Sequence, residues 1–210
     1  HVVRCFQDNQ VIHVEGQVDP LNDIEIINLE LMIADFETAT KQLESLTRRA
    51  RTQIKDEVIK RDSMQKIVDG LGKNIPVRSI PLNPEESLIL KEISFITSKK
   101  VIYVANIGES DLPGPNDLAQ KVKDFAESNG DGFVCLSAKI ESELSELPDE
   151  DSKELLSEYG LAESGLNRLA KECFSLLDLQ TYLTTGEKET RSWTIPVGAT
   201  APQAAGKIHT

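Results

Sequence analysis

The spacing of hydrophobic positions changes several times along the chain, and each change marks a different kind of element. Residues 1–6 form a short, β-branched and apolar run bounded by Gln7-Asp8-Asn9-Gln10, which predicts a buried strand. Residues 11–14 predict an edge strand before Gly16, and Asp19-Pro20 predicts a turn. From Asp23 the spacing becomes three and four residues, through Leu29, Met32, Phe36, Ala39, Leu43, Leu46 and Ala50. This heptad-like seam predicts a long helix that holds one apolar stripe against a partner. Asp23 is its expected N-cap, with Glu25 and Glu30 near the positive end of the helix dipole. The partner helix is expected over residues 58–71, with Met64, Ile67, Val68 and Leu71 on its apolar face and Gly70 and Gly72 ending it. Two helices joined in this way make an antiparallel hairpin.

Asn83-Pro84-Glu85-Glu86 predicts a further helix running to Ile96, with Asn83 as cap and Pro84 in the first turn. The nearly continuous apolar run at 101–105 suits a strand buried on both faces, as in a parallel sheet. A helix over 115–128, a strand over 132–136, helical segments over 141–147 and 149–159, and a helix over 165–177 follow. Alternating strands and helices predict an α/β fold with a parallel sheet, and the hairpin is then an insertion between two of its strands. Residues 181–184 and 190–197 read as two strands around Gly186, with a helix starting near Pro202. The expected organisation is a nucleotide-binding layer split into 1–18 and 99–178, a helical insertion over 19–98, and part of a further domain over 179–210.

Composition narrows the partners. The formal charge of −12 over 210 residues argues against simple electrostatic wrapping of nucleic acid. The one basic run, Arg48, Arg49, Arg51, Lys55, Lys60 and Arg61, reads as a solvated helix surface. Cys5, Cys135 and Cys173 are far apart in apolar surroundings and read as buried thiols of a reducing compartment. No ligand spacing for a zinc site is present. No apolar stretch approaches a membrane span, and the N-terminus lacks the order of a signal peptide, so a cytoplasmic protein without a membrane partner is expected. The start at His1, without Met, leads to the expectation that an upstream portion is missing.

Two short motifs fall at the ends of predicted parallel strands, where open α/β sheets bind ligands. The first is Asn106-Ile107-Gly108-Glu109 and the second is Ser137-Ala138-Lys139, some thirty residues on. This pair resembles the purine-recognition motifs of P-loop GTPases, with two departures from Asn-Lys-x-Asp. Guanine is read there by an Asp carboxylate that accepts from N1–H and the exocyclic amine. Glu109 is one methylene longer and would crowd that base, and Ile107 replaces a lysine stem while still offering an apolar surface to a purine face. Adenine reverses the hydrogen-bond sense, since its N1 accepts and its 6-amine donates. A carboxylate gains nothing there, whereas the Asn106 carbonyl can accept from the amine. The departures favour ATP over GTP.

Longer runs extend the resemblance. His1-Val2-Val3-Arg4-Cys5-Phe6, Asp19-Pro20-x-x-Asp23-Ile24-Glu25, Tyr103-Val104-Ala105-Asn106, Ser137-Ala138-Lys139-Ile140-Glu141, Gly165-Leu166-Asn167-Arg168 and Trp193-Thr194-Ile195 resemble consecutive signatures of the Obg-like ATPases, the YchF family. The run Gly198-Ala199-Thr200-Ala201-Pro202-Gln203-Ala204-Ala205-Gly206 is the most distinctive. The resemblance implies a P-loop nucleotide domain, a coiled-coil insertion and a C-terminal TGS domain of β-grasp fold. It further implies ATP hydrolysis with GTP as the weaker ligand, a Mg²⁺ cofactor, and association with ribosomes or translation factors, with RNA contact through the ribosome. On it, Asn106, Ile107, Glu109, Ser137, Ala138 and Lys139 line the base pocket. No Gly-x-x-x-x-Gly-Lys-Ser/Thr loop occurs in the 210 residues. The phosphate and Mg²⁺ ligands are therefore expected upstream of His1, no catalytic residue is expected here, and this stretch alone is not expected to hydrolyse ATP. A non-catalytic interaction module and a GTP-specific GTPase remain the alternatives.

Overall fold

A computed structural model describes residues 1–8 and 18–208. The predicted edge strand at 11–14 lies outside the described residues. The chain divides into two compact units, His1–Pro20 with Val101–Thr210, and Leu21–Lys100.

The first unit is built on a parallel three-stranded sheet of order β1-β2-β3, where β1 is Val2–Arg4, β2 Ile102–Asn106 and β3 Gly132–Leu136. In β2, Tyr103, Val104 and Ala105 are all buried, because helices cover both faces of a strand whose run is apolar throughout. Helix α4, Asp117–Asn129, presents Ala119, Val122 and Ala126 to the sheet at steps of three and four. Phe125 on α4 meets the Tyr103 ring edge-on, with centroids 5.6 Å apart. The helix starts two residues after the predicted Pro115, since the Asn116 side chain accepts from the Ala119 N–H and makes Asn116 the cap. It stops at Gly130, whose left-handed φ of 69° suits a residue without a Cβ.

After β3 come α5, Ala138–Glu146, α6, Asp149–Glu158, and α7, Gly165–Leu176. The antiparallel pair β4, Leu179–Thr185, and β5, Thr190–Pro196, and helix α8, Ala201–Ile208, complete the unit. The Tyr182 hydroxyl donates to the Ala204 carbonyl and holds α8 on the strand pair. Cys5 and Cys135 are buried as expected, and burial pushes the Cys135 thiol above its ordinary pKa. Cys173, expected to be buried, is only half-buried.

The second unit is helical. Helix α1 spans Pro20–Arg49 and starts three residues before the predicted cap. Pro20 fits the first helical position, where a missing N–H costs nothing, so Asp23 becomes a first-turn acid instead of the cap. Helix α2 is Lys55–Leu71. Ala39 and Leu46 of α1 share one core with Met64, Ile67 and Leu71 of α2, as the seam predicts. Leu29 and Phe36 of the predicted seam are exposed, and Asp35 is buried instead.

Gly70 does not end α2 but lies within it, where a Cβ would come within 2.5 Å of the Ile80 side chain. The left-handed residue that follows is Asn74, with φ 58°. Asn83 and Glu86 form a reciprocal capping box, with Asn83 Oδ1 accepting from the Glu86 N–H and Glu86 Oε2 from the Asn83 N–H. The helix they open is broken early. It passes through a 3₁₀ turn, Glu86–Leu88, into a single α turn, α3 (Ile89–Glu92). The predicted continuation to Ile96 fails because the Ile96 and Thr97 amides are claimed by Asp35. The basic run is a solvated face, partly neutralised by Arg49–Glu57, Lys60–Glu92 and Arg61–Asp62 pairs.

Candidate functional site

Parallel pairing brings three chain segments to one edge of the sheet. Arg4 pairs with Asn106, and Asn106 with Leu136, so β1, β2 and β3 end level with one another. The ladder continues one step further, with the Cys5 N–H donating to the Asn106 carbonyl and the Ile107 N–H to the Leu136 carbonyl. Whatever follows each strand must therefore emerge side by side. Those continuations are Phe6–Asp8, Ile107–Glu109 and Ser137–Lys139, and they line an open cleft of about 570 Å³.

Two contacts tie the predicted motifs together. The Ala138 N–H donates to Asn106 Oδ1 at 2.9 Å. This bond engages one lone pair of the Asn106 carbonyl with the first amide of α5. The second contact is an ion pair, with Lys139 Nζ donating to Glu109 Oε2 at 2.7 Å. The Glu109 carboxylate holds the Lys139 ammonium above its ordinary pKa, first through this hydrogen bond and then through its charge. Tyr159, at the end of α6, has its phenol pushed up by burial and then by the negative charges of Glu109 and Glu143.

The predicted residues are placed unequally. Asn106, Glu109, Ser137 and Lys139 line the cleft. Ala138 enters through its backbone amide. Ile107 reaches the cleft wall but is only 2% exposed, so its side chain belongs mainly to the core and offers little open surface to a ring. Phe6 is half-buried in the wall instead, with the Arg4 guanidinium 4.8 Å from its ring centroid.

Sequence reasoning missed the segment Phe6–Asp8, because only the level ending of β1 and β2 brings it to the site. It missed Asn116 as well. Beyond capping α4, Asn116 donates through Nδ2 to the Cys5 carbonyl and to Asp111 Oδ2, both at 2.7 Å. That amide fastens the end of β1 to the loop after β2, next to the segments that line the cleft. An Asn directly before a helix is visible in the sequence as a cap, but its second duty is not.

Among the described residues no group of three or more His, Cys, Asp or Glu side chains is arranged to hold a metal ion, and no helix is long and apolar enough to cross a membrane. The described residues therefore offer no cluster of such side chains that would fit Mg²⁺.

Comparison with known proteins agrees with the resemblance drawn from the motifs. Residues 179–210 match the family model YchF-GTPase_C, described as "Protein of unknown function (DUF933)". The whole chain is 42% identical over 210 residues to "Ribosome-binding ATPase YchF" of Escherichia coli O157:H7, covering 58% of that protein. It is 40% identical over 211 residues to the protein of the same name from Bacillus subtilis (strain 168), again covering 58% of it. The chain thus spans somewhat over half the length of these curated relatives. Among solved structures, the Schizosaccharomyces pombe YchF GTPase superimposes with a TM-score of 0.82 at 34% identity, over 99% of this chain and 57% of that one. The α/β architecture, the motif pair at the strand ends and the C-terminal match agree with a similarity to YchF proteins that runs along the full chain.

Proposed function

We propose that the cleft at the strand ends reads the purine of ATP, that GTP is the weaker ligand, and that the full-length protein hydrolyses ATP and associates with ribosomes. The observation that carries the base assignment is the bond from the Ala138 N–H to Asn106 Oδ1. It orients the Asn106 amide and leaves that side chain one carbonyl lone pair and two N–H donors. An amide with one acceptor and one donor matches the 6-amine and N7 of adenine, as Asn does when it reads adenine elsewhere. Guanine presents two acceptors on the same edge, O6 and N7, and the Asn106 carbonyl then faces an unmatched oxygen.

Glu109 supports the same reading. Its Oε2 is engaged by Lys139, which leaves Oε1 as the one oxygen outside that ion pair for the N1–H and 2-amine that mark guanine. Phe6 supplies apolar surface for a ring, with Ser137 beside it. Hydrolysis and Mg²⁺ binding draw on residues other than those described, which offer no metal site.

The names of the bacterial relatives support ribosome association, and the helical unit is the element proposed to dock, with RNA contact made through the ribosome and a cytoplasmic location following from it. Nucleotide then acts as the switch. The test is hydrolysis of ATP and GTP by the full-length protein, with ATP expected to be turned over faster. Equal rates would contradict the base assignment. Co-sedimentation with ribosomes should fall when residues 23–72 are deleted. Unchanged association would remove the hairpin as the docking element.

A further inference from the structure

We infer that Glu141 is a positioning residue for the purine cleft: its carboxylate clamps the N-terminus of α7 and so sets the turn that carries Ser137, Ala138 and Lys139. The inference rests on the proposed reading of the cleft and adds a residue that does not line it.

Glu141 sits one turn into α5, three residues after Ala138, and is 8% exposed. Its two oxygens diverge onto consecutive amides of another helix. The Gly165 N–H donates to Oε1 at 2.6 Å and the Leu166 N–H to Oε2 at 3.2 Å. The next amide, of Asn167, is taken by the Ser164 hydroxyl oxygen at 3.2 Å. A helix begins with amides that have no partner inside it. Here the first three are satisfied, two of them by a carboxylate from a different segment. An anion at the positive end of a helix dipole, accepting charge-assisted bonds in a buried setting, is a strong tether.

The tether is close to the cleft. A Cβ on Gly165 would lie 2.4 Å from Leu136 Cβ and 2.8 Å from Glu141 Oε1, so α7 presses its first residue against the end of β3 where only glycine fits. Arg168 adds a second fastening, with Nη2 donating to the Cys135 carbonyl at 2.8 Å. The end of β3 is thereby fixed from one side, and the first turn of α5 is fixed to the same point through Glu141. Between these anchors lies only the turn of residues 137–140. Its orientation decides where the Ala138 N–H meets Asn106 and where Lys139 meets Glu109. A carboxylate suits the junction because it accepts at both oxygens. An amide in its place turns an N–H₂ toward one of the two N–H groups.

The test uses the full-length protein and compares the Kd of ATP with that of inorganic tripolyphosphate, which lacks the base. Glu141→Gln should weaken ATP about tenfold while tripolyphosphate stays within about twofold, a selective loss of about 1.4 kcal/mol. Glu141→Asp, which keeps the charge and withdraws it by one methylene, should show the same selective loss. Equal weakening of both ligands would make the role purely structural and overturn the inference. Asn106→Ala is the control for the cleft itself. If Asn106→Ala weakens ATP selectively and both Glu141 variants do not, the clamp is refuted and the purine cleft stands. If Asn106→Ala also leaves ATP binding unchanged, the cleft reading fails and the clamp with it.

Discussion

In the helical unit Asp35 accepts from the Ile96 N–H at 2.9 Å and from the N–H and hydroxyl of Thr97, each at 2.7 Å. In the sheet-bearing unit Glu141 accepts from the amides of Gly165 and Leu166. These are the two buried carboxylates among the described residues, and both bind backbone far away in sequence. What differs is the neighbour. Asp35 holds an irregular segment beside the core formed by Leu46, Met64, Ile67 and Phe95, and Thr97 extends the network by accepting from the Val77 N–H. Glu141 holds the turn proposed to read the base. On the proposed reading the same chemistry stabilises a fold in one unit and aims a binding surface in the other, and burial alone does not tell the two apart.

The comparison can be broken most forcefully at Asp35. Asp35→Ala strips two buried donors of Thr97 and the partly buried Ile96 N–H of their acceptor, and the expected cost is about 3 kcal/mol of unfolding free energy, measured by denaturant titration of the full-length protein. ATP affinity should be unchanged in the folded variant. A large loss of ATP affinity there would erase the distinction between the two carboxylates. A smaller effect sharpens the cleft side. Lys139→Met frees the Glu109 carboxylate from an exposed ion pair, so ATP affinity should change by less than about twofold. GTP should improve by about threefold, because Glu109 can then accept from guanine, and isothermal titration would read both. A fall in GTP affinity would show that Lys139 itself contacts the base.

Much of the fold was legible because regular elements announce themselves locally. Strand Gly132–Leu136 was read to the residue, since an apolar run bounded by Gly and polar residues has one reading. The heptad spacing placed Ala39, Leu43 and Leu46 correctly but could not separate them from Leu29 and Phe36, which obey the same spacing and are exposed. A carboxylate on a helix reads as solvated, so Asp35 gave no sign that it would stop the helix after Asn83 at Glu92 by taking the amides of Ile96 and Thr97. In the cleft the two motifs were legible as strings, and their convergence followed from parallel pairing. Their mutual contacts, the duty of Asn116 and the approach of Phe6 were not, because each depends on which strand ends level with which.

Asn106 is the hinge of the functional reading, and its amide gives the most direct test. The Kd values of ATP and GTP should be measured by titration calorimetry for the full-length protein and for Asn106→Ala. The account predicts that ATP binds about tenfold tighter than GTP in the parent and that the substitution brings the two together, mainly by weakening ATP. Equal affinities in the parent, or a preference for ATP that survives the loss of Asn106, would contradict it.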